Sequence, residues 1–259
     1  MLGAEVGSMR IDGSAALVTG GSRGLGAALG RALAREGARV VLVARAGEEL
    51  EAVAAEIRTA GGEAHAVAGD VGDPRSAAAL AGAAAALVGP LDLVVHGAST
   101  LGPVPLRLLL DTHPTELERA LAVNVVGPFR LTRLIAGGMV LRGRGLVVHV
   151  TSDASVAAYP RWGAYGLSKA AFDHMARIWG AELEGTGVRF LSIDPGEMDT
   201  RMHAEAVPEA DPATLQDPAV VAGRIVQIIR DSETLASGVR VEAATAAIER
   251  ARIHSARAS

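Results

Sequence analysis

The 259-residue chain contains no cysteine, one lysine and one asparagine. Without cysteine there is no disulfide framework, no thiolate metal site and no cysteine nucleophile, which agrees with a reducing cytoplasm. Of the 25 basic residues, 24 are arginine and only Lys169 is lysine. Asparagine occurs only at Asn124. A chain that nearly excludes two residue types gives chemical weight to the places where it uses them. Charge is also scarce in any directed form. The formal net charge is −4 and the pI about 6.0, so there is no basic field for nucleic acid and no polybasic membrane anchor. The longest uncharged run, between Arg75 and Asp92, is rich in alanine, contains Pro90 and is too short for a membrane span. The first residues, MLGAEVGSMRID, lack both the basic start and the apolar stretch of a secretory signal. They read as a flexible leader over residues 1–13.

Short apolar runs alternate with longer helical patterns. Ala15–Thr19, Arg39–Ala44, Ala64–Gly69, Leu91–His96, Leu146–Thr151 and Val188–Ile193 read as strands, nearly all of them continuously apolar. Such runs fit parallel strands covered on both faces. Helical patterns cover Gly24–Glu36, Glu48–Ala60, Pro74–Val88, Pro114–Arg142 and Trp162–Glu184. This alternation predicts an α/β fold, a single Rossmann-type domain with a doubly wound parallel sheet over residues 14–241. Residues 197–217, with Pro208, Pro212 and several acids, follow a strand end and read as a substrate lid. Residues 242–259 form an Ala/Arg-rich C-terminal tail.

The first strand runs into Thr19-Gly20-Gly21-Ser22-Arg23-Gly24-Leu25-Gly26 and then a helix. Glycines in such a turn let backbone N–H groups approach a pyrophosphate at the helix N-terminus. The pattern is not the G-x-G-x-x-G of longer dehydrogenases, because Leu29 takes the last position. The second strand ends Val43-Ala44-Arg45-Ala46, without the acid that holds the ribose 2′-hydroxyl of NAD. Arg45 and Arg23 instead offer guanidiniums to a 2′-phosphate, so NADP(H) is expected over NAD(H).

Tyr165 and Lys169 lie four apart on a predicted helix, which puts both on one face. A free tyrosine, with a pKa of about 10, is a poor base at neutral pH. An adjacent ammonium is expected to favour the phenolate and lower that pKa. Ser152, thirteen residues earlier at a strand end, can donate to a substrate oxygen. Asp153 beside it raises the thought of a hydrolase triad, but no G-x-S-x-G elbow surrounds Ser152. His96, His149 and His174 have no partner at metal-ligand spacing, so no metal is expected.

Taken in order and spacing, the Thr-Gly-x-x-x-Gly-x-Gly turn, Asn124, Ser152, Tyr165-x-x-x-Lys169 and Pro195-Gly196 resemble the short-chain dehydrogenase/reductase family, from about Ser14 to Val241. The resemblance implies an oxidoreductase with Tyr165 as proton donor and acceptor and Ser152 orienting the carbonyl. Lys169 would hold the nicotinamide ribose, and Asn124 would position a water in a proton relay. Asp70-Val71 resembles the pair contacting the adenine, and Pro195-Gly196 through Thr200 the stretch bordering the nicotinamide. Gly97 falls in the segment lining the cofactor pocket. There the chain departs, with His96-Gly97-Ala98-Ser99 in place of the usual Asn-Asn-Ala-Gly. The usual Asp-Gly-Gly ending is also missing, which favours a homodimer through the helices holding Phe129 and Phe172 over a homotetramer. Arg161, Trp162, Glu197, Met198 and Met202 are candidates for the substrate pocket by the same resemblance. The expected partner is a small carbonyl or alcohol substrate. Two other readings stay open, a dinucleotide-binding sensor or scaffold without turnover and an epimerase or dehydratase acting through the same Tyr/Lys pair.

Overall fold

The computed structural model describes residues 9–243. Seven strands form one parallel sheet in the order β3-β2-β1-β4-β5-β6-β7. They are β1 (Ala15–Thr19), β2 (Arg39–Ala44), β3 (Glu63–Ala68), β4 (Leu93–His96), β5 (Gly145–Val150), β6 (Val188–Asp194) and β7 (Val239–Glu242). β1 and β2 match the apolar runs residue for residue, and the other four predicted strands differ at their ends by one or two residues. β7 is the exception. Its alternating Val-Arg-Val-Glu gives no continuous apolar run, and its outer edge has no strand beside it.

The sheet divides the interior in two. Ala16, Val18, Val40 and Leu42 point to one face, covered by α1 (Gly24–Arg35), α2 (Gly47–Thr59) and α8 (Pro218–Arg230). Ala15, Leu17, Val41 and Val147 point to the other, covered by α3 (Ser76–Val88), α5 (Gly127–Arg142) and α6 (Gly163–Glu182). Because β1 has β2 on one side and β4 on the other, the chain reverses its winding there. A crevice opens beyond the carboxyl ends of those two strands. On the α3/α5/α6 face the composition changes at that end. Thr19, His96, His149, Ser192 and Arg240 are partners in consecutive strand registers and form a polar row across the sheet.

The single helix expected over Pro114–Arg142 is broken. α4 (Pro114–Leu121) passes into one wide π turn, Ala122–Val126, before α5 begins. Pro128 has no N–H to return to the carbonyl of Asn124, four residues back, so the α-helical ladder fails at that carbonyl. Gly127 follows because a side chain there would collide with the carbonyl of Val71. α8, unpredicted, is capped by the Asp217 carboxylate, which accepts from Ala219 N–H at 2.7 Å.

Residues 9–13 of the leader are docked. Met9 N–H donates to Arg230 at 3.0 Å, and Ile11 is buried in the core. The remainder of the leader and the tail beyond Ala243 lie outside the described residues. Of the two helices expected to form a homodimer, α5 leaves Phe129 partly exposed, while α6 turns Phe172 into the interior, its ring stacked on His149 at 4.1 Å.

His96 and His149 are buried and neutral. Nε2 of His96 pairs with the Thr132 hydroxyl at 2.9 Å, and Nδ1 of His149 with the Phe172 carbonyl at 3.2 Å. Burial pushes His96 well below its usual 6.5 and His149 down to about 4. The unfolded chain therefore takes up protons below pH 6.5 that the native state refuses. Stability is full above that pH and falls as the pH drops toward 4, by about 3 kcal/mol for His149 alone. Thermal melting should show the melting temperature falling between pH 7 and 5. His96→Asn should make that slope shallower, and parallel curves would contradict this account.

Candidate active site

The crevice is a cleft of about 1450 Å³. Its floor is the turn after β1, where Gly20, Ser22, Arg23, Gly24, Leu25 and Gly26 all face the cavity. The turn is built for close approach. A Cβ on Gly20 would lie 2.8 Å from Ala98 N, and one on Gly26 would collide with the carbonyl of Gly20. The first turn of α1 points its free N–H groups into this space, which suits an anion. Arg23 and Arg45 stand at the same end. Both are exposed, and neither has a hydrogen-bond or ion-pair partner among the described residues. Asp70, Val71 and Gly97 line the next stretch of wall, and Pro195, Gly196 and Thr200 the wall opposite.

Thr19 and Asn124 do not line the cavity and instead hold its wall from behind. The Thr19 hydroxyl accepts from Gly97 N–H at 3.1 Å and from Ala98 N–H at 3.2 Å, joining the exits of β1 and β4. Asn124, buried beside the π turn, uses its whole amide. Its Nδ2 donates to the Thr100 carbonyl and to the Ser168 hydroxyl, both at 2.8 Å. Its Oδ1 accepts from Thr100 N–H at 2.8 Å and from the Ser99 hydroxyl at 3.2 Å. Ser99, one of the departures from the usual motif, is thus engaged in holding the wall.

Ser152, Tyr165 and Lys169 meet in the middle of the cleft. Lys169 and Tyr165 share the inner face of α6, and Ser152 leaves the end of β5. The Ser152 hydroxyl, donated to Asp153, stands close enough to the Tyr165 phenol to pull its pKa down against burial. The Lys169 ammonium does not bond the phenol oxygen. It donates to the Val150 carbonyl at 2.8 Å and lies 5.4 Å from the ring centroids of both Tyr165 and Phe172. This corrects the expectation that Lys169 lowers the Tyr165 pKa. Burial dominates and holds the phenol above its usual 10, with Ser152 opposing that shift. Lys169 is itself pushed down, to about 8, by its own burial, against the pull of Asp173 and Asp194.

Asp153 plays no part in a hydrolase triad, because the side chains bonded to it are hydroxyls. Ser152 donates to its Oδ1 at 2.9 Å and Tyr159 to its Oδ2 at 2.8 Å. Met202, on α7 (Arg201–Ala206), packs with Leu101, Ala154, Trp162 and Tyr165 into a small apolar cluster. Glu197 and Met198 also line the cleft. Residues 197–217 are closed at their base by a bridge between Met198 and Gln216.

Sequence reasoning missed Asp173 and Asp194, whose charges act on Lys169, and Arg240, which pairs with both of them. Asp194 precedes Pro195-Gly196 and was legible as an acid at a strand end. Arg240 was not, since β7 itself gave no signal.

The comparisons with known proteins agree with this geometry. Residues 14–211 match the short chain dehydrogenase family. The chain belongs to that family of oxidoreductases. An uncharacterized oxidoreductase of Mycobacterium tuberculosis is 40% identical over 193 residues, covering 74% of this chain and 72% of that protein. Glycine betaine reductase ATRR of Emericella nidulans is 33% identical over 87% of this chain, but the match spans only 18% of that longer protein. Among solved structures, a short chain dehydrogenase from Pseudomonas syringae superposes with a TM-score of 0.85 at 30% identity, covering 94% of this chain and 99% of that one. A short chain dehydrogenase from Shigella flexneri, complexed with NADP, gives 0.84 at 27% identity over 91% of this chain and 98% of that one. A 7α-hydroxysteroid dehydrogenase complexed with NADH gives 0.83 at 26% identity over 91% of this chain and 94% of that one.

Because Lys169 is the only lysine, its ionisation can be read alone. With ¹³C-lysine labelling, the single side-chain Cε signal should titrate with a midpoint near 8. A midpoint near 10.5 would mean that the ammonium is solvated and the buried geometry is wrong.

Proposed function

We propose that this chain is an NADP(H)-dependent oxidoreductase that interconverts a carbonyl and an alcohol, with Tyr165 as general acid/base. The observation that carries this reading is the meeting of Tyr165, Ser152 and Lys169 in the cleft that begins at the glycine turn. The cavity fits a dinucleotide because the glycines leave backbone where any side chain would intrude. Gly20, Ser22, Gly24, Leu25 and Gly26 would hold the pyrophosphate and Asp70 and Val71 the adenine. Gly97, Pro195, Gly196 and Thr200 would border the nicotinamide, while Thr19 braces the wall. A bound nicotinamide supplies the hydride donor or acceptor. Two unpaired guanidiniums, Arg23 and Arg45, favour a 2′-phosphate at the other end, where no strand-end acid competes.

Burial keeps Tyr165 a neutral phenol at pH 7, which suits it to give its proton to a carbonyl oxygen. Ser152 donates to the same oxygen and stabilises charge as it develops there, releasing Asp153 to do so. Lys169 sets the field under the phenol and reaches toward the ribose. Asn124 contributes through its main chain, because its amide is fully engaged; the carbonyl released by Pro128 is the group that would position a water. Residues 197–217 act as the lid, with Met202 closing over Tyr165. The substrate end is apolar and aromatic, with Leu101, Trp162, Met198 and Met202 on its walls. Val126 at the end of the π turn and Phe129, Leu134 and Leu141 on α5, with Leu167 and Ile178 on α6, expose apolar surface that supports a homodimer. The cytoplasmic placement is read from the sequence alone; among the described residues no helix is long and apolar enough to cross a membrane.

Titration of the protein with NADPH and with NADH, followed by nicotinamide fluorescence, tests the cofactor assignment. NADPH should bind more tightly, and Arg45→Ala should weaken it about 10-fold or more while leaving NADH unchanged. Tighter NADH binding would overturn the 2′-phosphate assignment, and binding of neither nucleotide would overturn the enzyme reading.

A further inference from the structure

Lys169 is buried, and the charges facing it come from several elements. On α6 its neighbours are Tyr165 and, one turn on, Asp173; on β5 the neutral His149; on β6 Asp194. Both carboxylates are buried and would by themselves leave an excess of negative charge around one ammonium. The balancing charge comes from the C-terminal strand. Arg240 on β7, its side chain largely buried, reaches Asp194 Oδ2 with Nη2 at 2.5 Å and Asp173 Oδ2 with Nε at 3.6 Å. It also pairs with Glu242 at the exposed end, at 3.1 Å. The two acids are further fixed by neighbours of the cleft. The Ser155 hydroxyl donates to Asp173 at 2.5 Å, and Gly196 N–H donates to Asp194 at 2.9 Å. Lys169, Asp173, Asp194 and Arg240 therefore form a buried set of two cations and two anions, which Glu242 extends to the surface.

We propose that Arg240 is a positioning residue of the active site, which acts on Lys169 through the carboxylates of Asp173 and Asp194. This inference rests on the reading that Lys169 serves Tyr165, and it assigns to the terminal strand a part in the catalytic field as well as in the sheet edge. Removing Arg240 leaves two uncompensated carboxylates beside the ammonium, which then holds its proton more strongly. Removing the charge of Asp194 takes away one of the two anions that favour the ammonium, which then gives up its proton more readily.

The test needs neither cofactor nor substrate. The Cε signal of the sole lysine is titrated in the wild type, in Arg240→Met and in Asp194→Asn, with thermal melting recorded alongside. The midpoint should rise by about half a unit or more in Arg240→Met and fall by about as much in Asp194→Asn. A role confined to holding the sheet edge would lower the melting temperature and leave both midpoints at the wild-type value, overturning the proposal. Should Arg240→Met fail to fold, Arg240→Gln is titrated in its place, and an unshifted midpoint there overturns the proposal. Because the readout is an ionisation, it stands or falls separately from whether any carbonyl is turned over.

Discussion

The site depends on a single buried ammonium. Lys169 is held by one carbonyl, at the end of β5, and by two ring faces. A cation so placed costs several kcal/mol in desolvation unless its surroundings answer it. Much of what is unusual around the cleft is that answer. α6 supplies Asp173 on the same face, β6 supplies Asp194 at its last residue, and β7 supplies the guanidinium that keeps the acids from overcompensating. The polar row at the carboxyl end of the sheet is the boundary between this charged layer and the apolar core beneath it.

The same layer defines what Tyr165 is at neutral pH. Its phenol is buried and makes no bond to Lys169, so burial holds it in the neutral form. The lysine lies under the ring and does not pair with the oxygen. Ser152 is in turn held by Asp153, whose other oxygen takes the hydroxyl of Tyr159. A serine that donates to a substrate oxygen, as proposed, would have to leave that carboxylate first.

Much of this was legible in the residues. β1 and β2 announced themselves as unbroken apolar runs, and the glycine turn, Tyr165, Lys169 and Ser152 could be placed on their elements from spacing alone. The sole lysine and sole asparagine both proved to be buried beside the cleft, where the chain's general avoidance of them gave way. Other features needed three dimensions. The π turn at Ala122–Val126 is foreshadowed by Pro128, but its consequence for Asn124 depends on which atoms the folded loop offers. β7 is a half-covered edge strand, so its alternating pattern is too short to stand out, and Arg240 went unnoticed with it. Helical spacing does not say which face of α6 turns inward; the stacking of Phe172 on His149 does. The sign of the Tyr165 shift was also misjudged, because proximity to an ammonium was weighed without the burial that outweighs it.

The central claim is that Tyr165 moves a proton in a nicotinamide-dependent reaction. Its most direct test is NADPH oxidation by the purified protein over a panel of apolar ketones, aldehydes and quinones, with Tyr165→Phe measured alongside. The account predicts turnover of at least one class by the wild type and a loss of about 10²–10⁴-fold in the variant, with NADPH affinity retained. Equal turnover by wild type and Tyr165→Phe, or tight NADPH binding with no turnover across the panel, would contradict it.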